Sequence, residues 1–388
     1  MSRACRILQV IEITAIGAAL TGCATSHPAV PPHPTATAAP AGPLPAMAPS
    51  PITAGASIDS TDGFTDAAGN LRPEILAYAR EVSARRDIPL AAVSSLLRDA
   101  RYSAAAVRLT TPSHERIRRS WVTYRARFVD PIRIRDGISF WKTHKQALDD
   151  SASLYGVPPS ILVAIIGVET VYGRQTGNFR VLDVLTTLGF RNPDTARPQR
   201  SAMFRNQLAD LIELDREKKV DARTLTGSYA GAIGLPQFMP SSLMRYAVDG
   251  NHDGIIDVRT EPADAIASVA NYLRQHGWIQ GLPVFAPVEL PGDAGALATT
   301  GLQPDRDWQR LQAAGARVRE YATPGKWTAY PLGVVDLVDE PRNLDEYRVA
   351  TPNFFAITQY NHSYFYAASV ADLAQAIADR MGYGGPNR

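Results

Sequence analysis

Glu169 is the one charged residue in a stretch that is otherwise apolar or small. Residues 161 to 168 read ILVAIIGV, the acid follows, and TVYGR comes after it. Ionising a carboxyl at the end of a buried helix costs several kcal/mol, so its pKa should rise and its proton should stay on. A carboxylic acid still protonated at neutral pH is what general-acid catalysis requires. Glycosidic oxygens are among the leaving groups that need such a donor. The same residue could instead sit at a helix C-terminus, reaching solvent or pairing with Arg174.

Three further segments carry polar groups at informative spacing. Residues 227 to 242, GSYAGAIGLPQFMPSS, hold three glycines and two prolines, which force turn geometry and let backbone approach a ligand. Ser228, Tyr229, Gln237 and Phe238 in that string offer the hydroxyl, amide and ring groups that read sugars, although the string would also serve as a tight corner between helices. Asp249, Asn251, Asp253 and Asp257 fall at positions one, three, five and nine of a calcium loop. Gly254 stands at six, and Ile255 offers a backbone carbonyl at seven. Thr260 replaces the bidentate Glu of position twelve, so Glu261 or Asp264 must complete a non-standard sphere; an acidic surface turn is the alternative. Such a calcium would be structural. Residues 360 to 366, YNHSYFY, resemble a carbohydrate-binding wall, because sugar C–H faces stack on rings while amides bond hydroxyls. His362 is the obvious base in it, but a lone His at a helix start is more often a cap. No HExxH, P-loop, GxSxG or Rossmann glycine pattern occurs.

Helices must position most of these groups. Pro158 and Pro159 open the apolar helix that ends at Glu169, and prolines in a first turn lose no hydrogen bond. Apolar spacing predicts two short helices over residues 71–102 and further helices over 113–128, 135–155, 182–188 and 200–218. A last amphipathic helix is expected over 364–381. After Trp278 the texture changes to short β-branched or aromatic runs at 284–290, 332–338, 347–350 and 354–358, which read as one small sheet. Residues 308–318 read as a helix inside it. The fold class is therefore α+β, predominantly α-helical.

The whole chain bounds the rest. Its 388 residues hold one large or two modest domains. The 40 Lys and Arg against 38 Asp and Glu leave a net charge of +2, which argues for no nucleic-acid partner. Only Cys5 and Cys23 occur, so the body has no thiol, disulfide or cysteine metal site. Arg3 and Arg6, then a short apolar run ending Leu20-Thr21-Gly22-Cys23, read as an export signal over 1–22. Leu-Thr-Gly-Cys resembles the bacterial lipobox, which would make Cys23 an acylated N-terminus, and Ala24 fits passage to the outer membrane. Residues 23–60 are rich in Pro, Ala, Thr and Ser with almost no charge, and read as a disordered tether. At about 3 Å per residue it would reach up to roughly 100 Å.

Taken together and in this order, the segments resemble the membrane-bound lytic transglycosylase B family, which cleaves bacterial peptidoglycan. The resemblance runs from Trp121 to the C-terminus. It rests on YGVPPSILVAIIGVETVYGR, GSYAGAIGLPQFMPSS, the calcium loop, ADAIASVANYLRQHGW and NFFAITQYNHSYFY. It implies a lysozyme-like helical core over residues 61–280, with residues 281–388 as a small β subdomain and final helix completing the groove. It also implies that Glu169 is the single catalytic acid. Tyr124, Ser228, Gln237, Phe238, Tyr272, Tyr360, Asn361 and Tyr366 would line the substrate groove. Asp249, Asn251, Asp253, Ile255 and Asp264 would hold a structural calcium, with no cofactor for catalysis. Peptidoglycan strands and the outer membrane are the implied partners, the location is the periplasm of a Gram-negative bacterium, and contacts with cell-wall synthesis or division proteins are admitted. A hydrolytic muramidase and a non-catalytic peptidoglycan-binding scaffold are the other readings. Two positions depart from the pattern: Tyr172 stands where many members have Trp, leaving a smaller aromatic wall, and residues 197–200 read RPQR.

Overall fold

The computed structural model describes residues 63–387, except 113–115 and 117. The segments expected to be an export signal and a tether, with Cys23, lie outside the described residues, as does the start of the helix expected from Ser113.

Helix α7 (Pro159–Thr170) is the hub. Every residue from Ser160 to Val168 is buried, so this helix has no solvent face and must be wrapped on all sides. Four helices wrap it: α5 (Pro131–Thr143), α6 (Lys145–Tyr155), α11 (Pro262–Gln275) and α14 (Tyr364–Met381). Their boundaries are chemical. Asp130 accepts from the Ile132 and Arg133 amides at the head of α5, Glu261 from Ala263 at the head of α11, and Ser363 from Tyr366 at the head of α14. Gly156 and Gly382, both left-handed, stop α6 and α14.

Around this centre pack α1 (Pro73–Arg86) on α2 (Leu90–Arg98), α3 (Ala104–Thr110) on α8 (Val181–Phe190), and α8 on α9 (Pro198–Arg216). Helix α4 (Trp121–Phe128) lies on α14, and α10 (Pro240–Tyr246) bridges α9 and α11. Among the described residues of the expected run 113–128, the helix is Trp121–Phe128, capped by the Ser120 hydroxyl. The expected run 135–155 is two helices that break at His144. Helices α3 and α10 were not anticipated; both are single short helices of seven residues, too brief for a clear period.

The β part differs more. Among the described residues, six short strands form three separate antiparallel pairs. These are β1 (Phe179–Arg180) with β2 (Thr226–Gly227), β3 (Val288–Glu289) with β4 (Arg317–Val318), and β5 (Gly333–Asp339) with β6 (Leu344–Ala350). The run 354–358 is no strand. It belongs to α13 (Pro352–Thr358), because the Thr351 hydroxyl accepts from the Asn353 amide and Pro352 starts the turn. An apolar run buried on all sides has no period to separate helix from strand. The helix expected over 308–318 stops early: α12 spans Trp308–Ala313, and Gly315 at φ +96° turns the chain into β4. Between α11 and β6 a second apolar cluster forms around Trp308, whose ring meets Trp327 edge-on at 5.0 Å.

Candidate active site

Glu169 sits one residue before the C-terminus of α7 and keeps a partial opening to solvent. Burial is the larger influence on its carboxyl and raises the pKa from the ordinary 4.5 to about 7; the Tyr366 hydroxyl opposes this by donating to Oε1 at 2.6 Å. No charged side chain among the described residues acts on it. Arg174, its suggested ion-pair partner, is occupied elsewhere, on Asp136 at 2.5 Å. The nearest downstream acid, Asp183, accepts from the Arg101 amide and the Arg180 guanidinium in the first turn of α8. Glu169 is therefore a solitary, half-neutral carboxyl rather than one of a pair.

Aromatic rings build one wall beside it. Tyr360 stacks on Tyr366 with centroids 6.3 Å apart, Tyr272 lies 4.9 Å from Tyr360, and Phe238 lies 5.6 Å from Tyr272. The rings are locked by their own hydroxyls: Tyr360 donates to the Pro236 carbonyl and Tyr272 to the Gln359 carbonyl, each at 2.6 Å. A charge on Glu169 raises the pKa of Tyr272, Tyr360 and Tyr366 beyond what burial does, so all three stand close to it. Tyr124 on α4 packs edge-on against Phe365 at 5.5 Å and acts electrostatically on Tyr366, extending the wall.

The glycine-rich segment, which contributes Phe238 to that wall, supports it at the end of α7 through its own turn. Ile233 and Phe238 exchange backbone hydrogen bonds of 2.8 and 3.0 Å, closing a tight hairpin whose tip is residues 234–237. Gly234 has φ +70°, and a Cβ there would stand 2.5 Å from the Val258 carbonyl, so no other residue fits. Thr170, buried beside Glu169, donates to the Leu235 carbonyl at 3.2 Å and ties this tip to α7. Ser228 is buried, and its Oγ accepts from the Ala230 and Ala232 amides. Gln237 differs from the expected free sugar reader, because its Nε2 donates to the Thr176 and Gly234 carbonyls. Only its amide oxygen remains for a ligand. Asn361 shows the reverse: its Oδ1 is buried with no hydrogen-bond partner, an acceptor waiting for a donor.

Three side chains, Thr170, Tyr246 and His276, escaped the sequence reading. Thr170 was hidden by a helix-end position that looks purely local. Tyr246 and His276 flank Tyr272 at 4.8 and 4.2 Å. The spacing of four between Tyr272 on α11 and His276, the residue that caps its end, was the available signal. Arg197 and Arg200 of the divergent RPQR segment both engage Asp194.

The acidic loop closes largely on itself. Asp249 Oδ2 accepts from Gly254, Asn251 from Asp253, and Asp253 from Ile255, all backbone amides. Buried Asp264 accepts from the Gly250 and Asp257 amides at 2.8 and 2.6 Å, Glu261 caps α11, and the Ile255 residue is 66% exposed. Asp249 Oδ1 is buried without a partner. No group of three His, Cys, Asp or Glu converges for a metal among the described residues. The donor types and order fit calcium; their present convergence is incomplete.

A family model described as a transglycosylase SLT domain matches residues 71–375. The chain belongs to this transglycosylase family. The transglycosylase is 40% identical over 266 residues to the membrane-bound lytic murein transglycosylase B of Escherichia coli (strain K12), covering 67% of this chain and 68% of that protein. Soluble lytic transglycosylase SltB1 from Pseudomonas aeruginosa superimposes with a TM-score of 0.70 at 38% identity, covering 80% of this chain and 100% of that one. The Escherichia coli lytic transglycosylase Slt35 in complex with calcium gives 0.67 at 33% identity, covering 82% and 96%. The transglycosylase thus has the predominantly helical, lysozyme-like α+β fold of these enzymes, and it is a peptidoglycan lytic transglycosylase, a lyase acting on glycan.

Proposed function

We propose that Glu169 alone serves as acid and then as base in cleaving the β-1,4 bond from N-acetylmuramic acid to N-acetylglucosamine. The observation that carries this is the solitary carboxyl, raised to about 7 and held by the Tyr366 hydroxyl with no second acid acting on it. Glu169 donates its proton to the linking oxygen, and the C1–O bond breaks. A carboxylate pair would stabilise the resulting oxocarbenium-like centre. Here the muramic N-acetyl oxygen does so from within the substrate, the acetamido group being oriented by the Ser228 hydroxyl as donor or by the vacant Asn361 Oδ1, which would accept from its N–H. The Glu169 carboxylate then takes the proton of the sugar 6-hydroxyl, and O6 bonds to C1. No water is consumed, and the tethered hydroxyl outcompetes water through its high effective concentration. Tyr124, Phe238, Tyr272 and Tyr360 supply stacking faces, and the Gln237 amide oxygen supplies an acceptor.

Digestion of intact murein followed by mass spectrometry tests the reaction. The expected products end in 1,6-anhydromuramic acid, one water lighter than reducing-end muramic acid. Reducing ends in their place would make the enzyme a muramidase. Mass spectrometry of the enzyme recovered from membranes reads the anchor, which places acyl chains on Cys23 at the outer membrane; an unmodified Cys23 would refute it. The membrane-bound relative supports that anchor. We assign residues 61–280 to the catalytic region and 281–388 to the part that completes the groove.

Calcium is proposed at the loop, held by Asp249, Asn251, Asp253, the Ile255 carbonyl and Asp264, where it would cross-link the loop without taking part in catalysis. The buried, unpartnered Asp249 Oδ1 supports this, as does the calcium complex of Slt35. Calcium at 100 times its Kd should stabilise the fold by about 2.7 kcal/mol. The melting temperature should rise with calcium in the wild type and stay flat in Asp249→Asn. Equal shifts in both would remove the loop as the site.

A further inference from the structure

We propose that Tyr172 is a positioning residue: its side chain, threaded between α5 and α7, holds the last turn of α7 so that Glu169 stays beneath the Tyr366 hydroxyl. The inference rests on the reading of Glu169 as the acid and assigns a role to a residue outside the groove. The resemblance placed Tyr172 in the groove wall. The structure instead packs its ring against Phe140 at 5.3 Å, on the side of α5.

The backbone explains why something must hold this turn. Val171 and Tyr172 have φ of +51° and +57°, two consecutive left-handed residues that are not glycine, the first of them β-branched. Such a pair is sterically disfavoured and persists only where its surroundings determine it. The Tyr172 hydroxyl donates to the Arg133 carbonyl at 2.9 Å, and the Arg133 guanidinium donates through Nε to the Gly167 carbonyl at 3.0 Å. Helix α5 therefore grips the chain on both sides of Glu169, at Gly167 within α7 and at Tyr172 just beyond its end.

The slot for the ring is made by two absent side chains. A Cβ on Gly167 would stand 2.6 Å from the ring carbon bearing the hydroxyl. A Cβ on Gly137 would stand 3.1 Å from that carbon and 2.6 Å from Ile377 Cδ1. Glycine in the middle of a helix lowers its intrinsic stability, so both positions give up helix propensity where the phenol passes. If the ring were expelled, the turn would relax and the Glu169 carboxyl would gain water. Its pKa would then fall back toward the ordinary range.

The test uses the full chain and a defined four-sugar murein glycan, with Tyr172→Phe, Tyr172→Ala, Gly167→Ala, the Tyr172→Ala/Gly167→Ala double variant and Glu169→Gln. Gly167→Ala and Tyr172→Ala should each lower kcat by about 100-fold with KM nearly unchanged, the scale expected of a misplaced catalytic group. The alkaline limb of kcat/KM should move down by about one pH unit or more in both, which a loss of folded protein alone cannot do. The double variant should be no worse than Tyr172→Ala, because the added methyl then has no ring to meet. Additive losses, an unmoved alkaline limb, or wild-type rates in the folded variants overturn the proposal. Should Gly167→Ala fail to fold, Tyr172→Phe decides, a downward shift of the limb supporting the proposal and an unmoved limb overturning it. Activity retained in Glu169→Gln would instead sink the assignment of the acid.

Discussion

Glu169→Gln is expected to be inactive and, above neutral pH, more stable than the wild type. Gln keeps the shape and can still accept from Tyr366, but it has no proton to give and cannot become a base. Loss of one general acid–base group costs about 10²–10⁴-fold, and here one residue carries both halves, so turnover should fall by at least about 10³-fold. The stability effect follows from the raised pKa of about 7 against 4.5 unfolded. Stability is full below the unfolded value and is lost as pH rises through the folded one, about 3 kcal/mol in all. Near pH 4 the two proteins should melt together, and near pH 8 the Gln variant should melt higher. A Gln variant that digests murein, or one that gains nothing at pH 8, would remove Glu169 from its role. The same ionisation makes wild-type activity decline above about pH 7, since only the protonated form can act as acid.

Tyr366→Phe should cut kcat by about 10–100-fold, because the carboxylate formed when Glu169 gives up its proton loses its hydrogen-bond donor. Burial drives the Tyr366 pKa well above 10, so the hydroxyl is a donor at every working pH. Its bond at 2.6 Å favours the charged carboxylate and holds the Glu169 pKa down. Without it the pKa climbs, and the alkaline limb of the pH profile should move up. That is opposite to the shift expected from the Tyr172 variants, so the two supports of Glu169 can be told apart in one titration series. A limb that stays in place in Tyr366→Phe would show that the hydroxyl does not govern the acid.

What could be read from the chain depended on how local the information was. The apolar run ending at Glu169 was legible because a helix buried on every face has a composition of its own, and α7 is such a helix. The boundaries of α14 were equally plain, with Ser363 as cap and Gly382 as stop. The strand expected at 354–358 is a helix because Thr351 and Pro352, outside the apolar run, decide its backbone. The expected single sheet divides into separate pairs because partner choice between short strands depends on distant contacts.

The site divides the same way. Residue types along the chain named Glu169, the Tyr360–Tyr366 cluster and the glycine-rich turn, since each is unusual for its neighbours, whereas Tyr124 and Tyr272 came only with the family resemblance. The division of labour among them was not legible. Gln237 spends its amide nitrogen on the Thr176 and Gly234 carbonyls, and Asp264 spends both oxygens on backbone amides. Those partners lie far away in sequence or share a turn whose geometry the chain does not announce.

The sequence by itself determined that one carboxyl would be surrounded by apolar residues, because hydrophobicity and helix period are properties of neighbouring residues. Only the tertiary structure decided which hydroxyl meets that carboxyl, that no second charge among the described residues acts on it, and that the Tyr172 hydroxyl turns inward onto the Arg133 carbonyl. Each of those depends on helices 30 to 200 residues apart arriving at one point.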